Sequence, residues 1–449
     1  MRIKVTPGDF VVTEIVNMDT KAPPERSRYR IYLLEKWGWN TLDAISSIAD
    51  ASRVQAALIG YAGLKDRHAR TSQHISVPAR YELVSRRDDI RLTFLGFSDD
   101  FVSTKVLVGN RFRIRVGGLT GRGAESMSSR AREIRKHGFP NYFDDQRFGS
   151  VTPAGDFVAE RMARGHLKGA LKIHLSEVFP TQKKAERDRR ARVAEAWGKW
   201  DKVFGLCESE EDRAVAAPLL GGASKKNLLL AINAVPHEAM TRYIAAYQAF
   251  IWNEVLRRIV TESGVPFHEV PGKAGPYLFP VQVSCGADRQ HAGASLVGSD
   301  AWAVFDRGHD ETGPARREAG APLDGGHDGT GPARRAGALF DVGLEIPTVA
   351  ARLSPCRPEV ACEIDKVLSE RGLALADFNI RGLRSRYFKS FSRRAWVIPD
   401  GLVISVPRPD RENPSEVEVR VSFALPAGSY ATMLLKALTV PTSPQGRVL

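Results

Sequence analysis

The sequence predicts an α+β fold in which one discontinuous domain, built from both ends of the chain, receives a mainly helical insertion. Segments near both ends are rich in β-branched residues and alternate apolar with polar positions, as half-buried strands do. The middle of the chain instead repeats apolar residues at helical spacing. The predicted bounds are 1–153 and 376–449 for the discontinuous domain and 154–375 for the insertion. With 449 residues, 43% of them hydrophobic, the chain can bury the cores of two or more domains.

The N-terminal part begins with a turn and a strand. Residues 6–9 (Thr-Pro-Gly-Asp) have turn chemistry, and the β-branched run 10–16 follows them. Residues 28–35 are predicted to be its antiparallel partner because charged and apolar residues alternate at their start. The other strands predicted in this part are 90–96, 104–108 and 111–116.

Two helices are predicted between or after these strands. Asn40 or Thr41 can cap the first, which runs through Ile48. The second covers 124–137 and ends at Gly138. Both helices therefore belong to the strand-rich N-terminal part.

The strand 111–116 carries arginines at alternate positions. Arg111, Arg113 and Arg115 therefore share one face of the sheet. That face can follow the phosphates of a nucleic acid, or it can be a solvated sheet face without a ligand. The residues alone leave both interpretations open.

The insertion is dominated by helical patterns. They cover 156–162, 171–178, 182–200 and 243–259. Residues 308–317 recur as 326–335, and this duplication is rich in Gly, Pro and charge, so we predict a flexible loop over 307–341. His309 and His327 raise the hypothesis of a metal site, but isolated histidines in a polar repeat are poor grounds for one.

The C-terminal part returns to strands. The predicted strands are 394–399, 402–406 and 416–423, and a short helix is predicted at 433–438. Because β-rich segments thus flank a helical middle, a discontinuous domain with an insertion is the economical architecture.

Charge and composition narrow the class of partner. The formal net charge is +13, and a basic globular protein favours polyanions, so nucleic acid is the predicted partner. No apolar run approaches the roughly 20 residues that span a bilayer, and the first ten residues lack an apolar signal core, which predicts a cytoplasmic protein without membrane contact. The four cysteines show no Cys-x-x-Cys spacing, so neither a disulfide framework nor a structural metal is expected.

Residues 60–73 combine two glycines with an unusual density of charge. Lys65, Asp66, Arg67 and His68 lie between two apolar, strand-like segments. Unpaired charge is costly to bury. One interpretation is therefore a site in which basic neighbours keep Asp66 ionised and attract an anionic ligand; the other is a solvated surface turn.

Residues 141–149 join three aromatic rings, side-chain amides and an arginine outside any regular period. Aromatic and polar groups in this mixture suit a site where a base is stacked and its edge is hydrogen-bonded. A hydrophobic plug at a domain boundary would have the same composition, so both interpretations stand.

Three blocks, in this order, resemble the TruD family of tRNA pseudouridine synthases. They are 62–69 (Ala-Gly-Leu-Lys-Asp-Arg-His-Ala) with Thr71 and Gln73, 141–149 (Asn-Tyr-Phe-x-x-Gln-Arg-Phe-Gly) and 426–432 (Pro-Ala-Gly-Ser-Tyr-Ala-Thr). Residues 4–14 (Lys-x-x-Pro-x-Asp-Phe-x-Val-x-Glu) and the helix at 243–253 are similar to the family as well. The resemblance spans the chain, and the first two blocks are specific in combination.

The resemblance implies a fold and a set of site residues. The fold is a mixed α/β pseudouridine-synthase domain with an antiparallel or mixed sheet, interrupted by a mainly helical TRUD domain. Asp66 matches the catalytic aspartate of the family, and Phe143 matches an aromatic that stacks on the target base. The other implied substrate-binding residues are Phe10, Asn141 and Tyr430, and the implied supporting residues are Lys4, Glu14 and Lys65.

The sequence departs from the family pattern at three places. Gly8 stands where Glu is frequent, Asp144-Asp145 where Gly-Glu is common, and Tyr430 where Phe is frequent. None of these positions is the aspartate, so the departures bear on substrate range more than on chemistry.

The implied activity is isomerisation of a tRNA uridine, by analogy uridine 13 of the D arm, to pseudouridine. The reaction needs no cofactor and no metal, and a monomer is expected. Asp66 could act as a nucleophile or as a base, and the sequence does not choose between these roles.

Two other functions are alternatives to this isomerase activity. A non-enzymatic RNA-binding protein or chaperone would share the basic charge and the fold. A metal-dependent nuclease would need converging carboxylates, and the motif blocks offer only the pair Asp144 and Asp145.

Overall fold

The computed structural model describes residues 1–3, 5–180, 182–281, 341–383 and 388–441. Lys4 and residues 307–340 of the duplicated segment therefore lie outside the described residues. Of the described residues, those in Met1–Phe139 and Val397–Leu449 form one compact unit, called unit 1. Those in Pro140–Gln282 and Arg335–Trp396 form unit 2.

The strands are numbered in chain order over the described residues. They are β1 Phe10–Val16, β2 Tyr29–Lys36, β3 Gly60–Tyr61, β4 Arg70–Pro78, β5 Ile90–Ser98, β6 Leu107–Leu119, β7 Phe139–Pro140, β8 Phe267–Val270, β9 Tyr277–Pro280, β10 Glu345–Pro347, β11 Ser392–Arg394, β12 Trp396–Val397, β13 Asp400–Ile404, β14 Arg408–Pro409 and β15 Val417–Pro426.

The α-helices are numbered in the same way. They are α1 Thr41–Ser52, α2 Gly121–His137, α3 Val158–Ala163, α4 Leu167–Ser176, α5 Lys184–Glu195, α6 Trp200–Leu206, α7 Glu210–Ala216, α8 Lys225–Ala234, α9 His237–Glu262, α10 Pro358–Glu370 and α11 Ala431–Thr439. No helix in the described part of the chain is long and apolar enough to cross a membrane.

Unit 1 is built on a mixed sheet of nine strands. Seven of them follow the order β13-β15-β6-β1-β4-β2-β5, while β14 pairs with β15 and β3 pairs with β4. β1 runs parallel to β4. The remaining neighbours along the path run antiparallel. The predicted α+β fold with a mixed sheet is confirmed.

Two strand predictions were wrong in detail. β2 is not the partner of β1, because β4 lies between them and pairs with both. The predicted strands 104–108 and 111–116 are replaced by one strand, β6, which begins at Leu107 and pairs along its length with β1 and β15. Pairing between segments far apart in sequence decided both points, and local alternation does not encode it.

The helix α1 packs against one face of the sheet. Ile45 and Ile48 of α1 join Leu34 of β2 and Ile75 of β4 in one buried cluster. The side chain of Asn40 accepts a hydrogen bond from the main-chain N–H of Asp43, so the predicted cap is confirmed.

Aromatic rings fill the middle of unit 1. Phe112 of β6 stacks on Phe423 of β15 with 5.2 Å between ring centroids. Phe10 of β1 meets Phe112 edge-on at 6.3 Å. Because side chains alternate along β6, the arginines next to Phe112 lie on the opposite face of the sheet.

Unit 2 is organised around the long helix α9, whose side chains are largely buried. The amide of Asn253 on α9 accepts from the main-chain N–H of Phe143 and donates to its carbonyl, both at 2.9 Å. These bonds tie residues 141–149 to unit 2. The units therefore change between Phe139 and Pro140, before the predicted 153/154 boundary, and between Trp396 and Val397, after the predicted 375/376 boundary.

Candidate active site

Asp66 lies in unit 1, on the loop 62–69 between the paired strands β3 and β4. Its side chain is half-buried, and its Oδ1 accepts a hydrogen bond from the main-chain N–H of His68 at 3.0 Å. Gly60, at the base of this hairpin, has no room for a side chain, since an added Cβ would lie 2.8 Å from the carbonyl oxygen of Val102. The loop thus presents one carboxylate in a defined turn.

Buried side chains behind the loop hold its main chain. The hydroxyl of Thr41 accepts from the main-chain N–H of Lys65 at 2.8 Å and donates to Oε1 of Gln73 at 3.0 Å. The Nε2 of Gln73 then donates to the carbonyl of Gly63 at 3.2 Å. Helix α1 and strand β4 are therefore connected to the loop through one hydroxyl and one amide.

Removing that hydroxyl should loosen the anchor. We expect Thr41→Val, which keeps the shape of the side chain, to lower the free energy of unfolding by about 1–3 kcal/mol, because two buried polar groups lose their partner. Urea unfolding measures the change, and Thr41→Ser, which keeps a hydroxyl, is the matched control. Equal stabilities of the Val and Ser variants would show that this hydroxyl does not carry the anchor.

Glu14 is the ion-pair partner of Lys65. The Lys65 Nζ lies 2.8 Å from Oε1 of Glu14, whose side chain is 0% exposed. The other oxygen, Oε2, accepts from the main-chain N–H of His74 at 2.9 Å. Burial raises the pKa of the Glu14 carboxyl, but the hydrogen bond from His74 and the charge of Lys65 outweigh it and hold the pKa below its usual 4.5. Glu14 and Lys65, two predicted supporting residues, are thus brought together.

Lys36, at the end of β2, is a further cation near this loop. It was not singled out by the sequence analysis. Its Nζ donates to the carbonyl of Trp39 at 2.7 Å and to the carbonyls of Lys65 and Asp66 at 3.4 Å each. Burial, partly offset by the charge of Asp66, lowers the pKa of Lys36 from 10.5 to about 8. A signal was present in the sequence, since Lys36 continues the buried spacing of Tyr32 and Leu34.

Phe10 and Tyr430, two of the predicted substrate-binding residues, also lie in unit 1. Phe10 is buried and begins β1, the strand that carries Glu14. Tyr430 is half-buried and directly precedes helix α11. Both stay predictions as substrate contacts.

The other two predicted substrate-binding residues, Asn141 and Phe143, lie in unit 2 and are buried there. The Asn141 amide donates to the carbonyl of Arg394 at 3.0 Å and accepts from Nη2 of Arg393 at 2.9 Å. The guanidinium of Arg393 lies 4.0 Å from the ring centroid of Phe143 and 4.5 Å from that of Trp252. Sequence reasoning missed Arg393, which covers one side of the ring predicted to stack on a base.

The carboxylates of Asp144 and Asp145 were the only candidates for a metal pair in the motif blocks. The Oδ1 of Asp145 accepts from the Tyr277 hydroxyl at 2.7 Å and from the main-chain N–H of Lys273 at 2.8 Å. Within the described ranges, no group of three or more His, Cys, Asp or Glu side chains could hold a metal ion.

The three arginines of β6 differ in what they contact. Arg115 is buried, and its guanidinium lies 2.6 Å from Glu418, 3.3 Å from Asp410 and 3.5 Å from Asp9. These carboxylates neutralise the charge of Arg115, so Arg115 is no longer proposed as a phosphate contact. Arg113 is exposed and Arg111 is half-buried on the same face of the sheet.

The comparison with family models covers more than half of the chain. The model of the family described as tRNA pseudouridine synthase D (TruD) matches residues 1–273. The chain belongs to the TruD family. Members of this family are isomerases that act on tRNA, so the predicted enzyme class is confirmed.

Relatives match the TruD chain over nearly its full length. The tRNA pseudouridine synthase D of Leptospira interrogans is 29% identical over 446 residues, covering 97% of this chain and 95% of the relative. That of Aquifex aeolicus is 26% identical, covering 98% of each chain. The chain is also 27% identical to a probable tRNA pseudouridine synthase D of Methanocaldococcus jannaschii, over 97% of this chain and 91% of the relative.

A solved structure shares the fold. The crystal structure of the putative tRNA pseudouridine synthase D from Methanosarcina mazei superposes with a TM-score of 0.66 at 21% identity, over 98% of this chain and 94% of that one. The similarity supports the TruD-type fold. The family assignment disfavours two alternative hypotheses, that of a nuclease and that of a non-enzymatic RNA-binding protein.

Proposed function

We propose that this TruD-family protein converts uridine 13 in the D arm of tRNA to pseudouridine, with Asp66 as the catalytic carboxylate. The observation that carries the proposal is the construction of the Asp66 loop. Its main chain is held by Lys36 at two carbonyls and by Thr41 at one N–H, while Asp66 itself is only partly buried. A reactive group on a fixed loop meets the positioning requirement of catalysis.

The reaction is an isomerisation, and its atoms balance without a further reactant. The N1–C1′ glycosidic bond breaks, the base rotates, and C5 bonds to C1′; C5 gives up its proton and N1 gains one. The Asp66 carboxylate can attack the sugar or the base as a nucleophile, or it can remove a ribose proton as a base.

The target uridine has to leave its stack before it can react. Unstacking costs a few kcal/mol, roughly what stacking on an aromatic ring returns. We keep Phe143 as the ring for this purpose, together with Phe10, Asn141 and Tyr430 as substrate contacts. The ring of Phe143 is buried, and the guanidiniums of Arg393 and Arg147 lie 4.0 and 5.8 Å from its centroid, so stacking of a base on it requires a neighbouring side chain to move.

The basic face of β6 is proposed to hold the tRNA backbone. Arg111 lines, with Thr13, Glu14 and His74, a pocket of about 410 Å³ on unit 1. Arg113 is exposed on the same strand face. Arginine suits phosphate because its planar fork of donors matches the anion.

Arg113 and Arg115 form a matched pair for testing this face. We expect Arg113→Ala to weaken tRNA binding on the order of a few-fold and to lower the salt slope of binding by about one, with stability unchanged. Arg115→Ala should instead lower the free energy of unfolding by about 3–5 kcal/mol, because buried carboxylates lose their cation. Fluorescence anisotropy over a salt series and urea unfolding separate the two effects. Unchanged affinity and slope in Arg113→Ala would remove it from the RNA-binding surface.

The proposed function is tested with tRNA that carries 5-tritiated uridine. Purified protein should release tritium as C5 loses its proton, and a transcript with cytidine at position 13 should release none above background. Release that persists from that transcript would overturn the proposed position. Tight, salt-sensitive binding without any release would favour a non-enzymatic RNA-binding protein.

We further propose that the protein works as a monomer in the cytoplasm. The +13 net charge favours a soluble chain that meets tRNA directly. Light scattering of the purified protein should give a mass near the 49.4 kDa of one chain. A mass of twice that value would show a dimer instead.

A further inference from the structure

Lys36 is a fully buried lysine in unit 1 that none of the predicted roles uses. It ends β2, and its neighbours on the adjacent strands are Thr71 of β4 and Ile90 of β5, which carry no charge. An ammonium group in such surroundings costs free energy. An apolar side chain of similar size would fill the same space without that cost.

The contacts of Lys36 explain what the charge does there. An ammonium has three donors, and three main-chain carbonyls accept from it: those of Trp39, Lys65 and Asp66. Two of the three belong to the loop that carries the candidate catalytic carboxylate. The two peptide groups that flank the Cα of Asp66 are thereby tied to the sheet.

Among the described residues, the two charged groups that act on Lys36 are both on this loop. Asp66 attracts its charge and Lys65 repels it. Attraction is mutual, so the charge of Lys36 also favours the ionised form of Asp66. The two cationic residues next to Asp66 in the sequence contact other groups. Lys65 pairs with Glu14, and the Nε of Arg67 donates to the carbonyl of Gly38 at 2.9 Å.

We propose that Lys36 is a positioning residue for the isomerase reaction, which fixes the main chain of the Asp66 loop and supplies a buried positive charge beside the carboxylate. The proposal rests on the proposed role of Asp66. In this role Lys36 does not touch the substrate. Its effect on the rate is exerted through Asp66.

Two substitutions separate charge from hydrogen bonding. Lys36→Met removes both, whereas Lys36→Gln keeps an amide donor without charge. We expect kcat to fall by about 10²-fold in Lys36→Met, since a misplacement near 1 Å can cost that much, while the Kd for tRNA stays within about twofold. Lys36→Gln should lose less than Lys36→Met. Lys105→Met, at an exposed position of unit 1, is the control for a lysine-to-methionine change.

The pH profile gives a readout that a purely structural role would not move. With a pKa of about 8, Lys36 loses its charge as pH rises through that value, so kcat of the unmodified enzyme should decline there. That decline should be absent in both Lys36 variants. Thermal unfolding of each variant is measured in parallel.

The outcomes distinguish this inference from the proposed function. Wild-type kcat in Lys36→Met, or a loss of kcat that only follows a loss of folded protein, overturns the inference. An alkaline decline that persists unchanged in Lys36→Gln overturns the role of the charge. Full activity of Asp66→Asn would overturn the proposed function and this inference with it, whereas an inactive Asp66→Asn beside a fully active Lys36→Met overturns the inference alone.

Discussion

Asp66→Asn is expected to abolish pseudouridine formation while tRNA binding is retained. Asparagine keeps the shape of the side chain and can still accept from the N–H of His68, but it carries no charge and is neither a useful base nor a nucleophile. Loss of one positioned acid–base group alone costs about 10²–10⁴-fold in rate, and loss of a nucleophile costs more. We therefore expect a fall of at least about 10³-fold in single-turnover tritium release.

Binding should survive because contacts to the main chain of the loop remain. Thr41 and Lys36 contact main-chain atoms, which the substitution leaves in place. Filter binding with tRNA and circular dichroism test this, and Asp50→Asn on the exposed side of α1 is the control for the same chemical change. Wild-type turnover by Asp66→Asn would contradict the assignment of the catalytic carboxylate.

Lys65→Met is expected to produce a large loss of stability. The change leaves the Glu14 carboxylate, 0% exposed, without the cation that lies 2.8 Å away. Removing one partner of a buried ion pair typically costs about 3–5 kcal/mol, because an uncompensated charge stays buried. Urea unfolding at pH 7 measures the loss.

A double variant provides the control for this prediction. Glu14→Gln combined with Lys65→Met removes both charges, so part of the lost stability should return. No recovery in the double variant would show that the cost arises from packing of the lysine stem and not from the charge of Glu14.

The pH dependence of stability follows from the same pair. The folded-state pKa of Glu14 lies below 4.5, so its contribution is complete above the unfolded pKa and is lost as pH falls through the folded pKa. Lys65 is one of the groups that lower this pKa. In Lys65→Met the folded-state pKa of Glu14 should lie closer to its unfolded value, so the acid-induced loss of stability due to Glu14 should be smaller than in the unmodified protein, and unfolding curves between pH 3 and 7 would show it.

The ends of single helices were predicted better than the pairing of strands. The cap of α1 at Asn40 and the end of α2 near Gly138 depend on neighbouring residues, and both were predicted correctly. The parallel pairing of β1 with β4 was not, because it joins segments about 60 residues apart and places β4 where β2 was expected. Turn and cap chemistry is local, whereas strand order is a choice among distant partners.

The candidate site shows the same division. Arg113 and Arg115 have the same position in the alternating pattern, yet only Arg115 is neutralised by Asp410 and Glu418 from the other end of the chain. Lys36 was passed over because a lysine at a strand end is usually solvated. In the folded chain its Nζ instead donates to the carbonyls of Trp39, Lys65 and Asp66.

The sequence by itself determined the family, the α+β class and the choice of Asp66, since these rest on motifs and on the periodicity of side chains. The tertiary structure decided that Glu14 pairs with Lys65 and that Lys36 holds the carbonyls of the Asp66 loop. The reason is physical. What a charged side chain does depends on its desolvation and on the groups within a few ångströms, and those groups come from strands that only folding brings together.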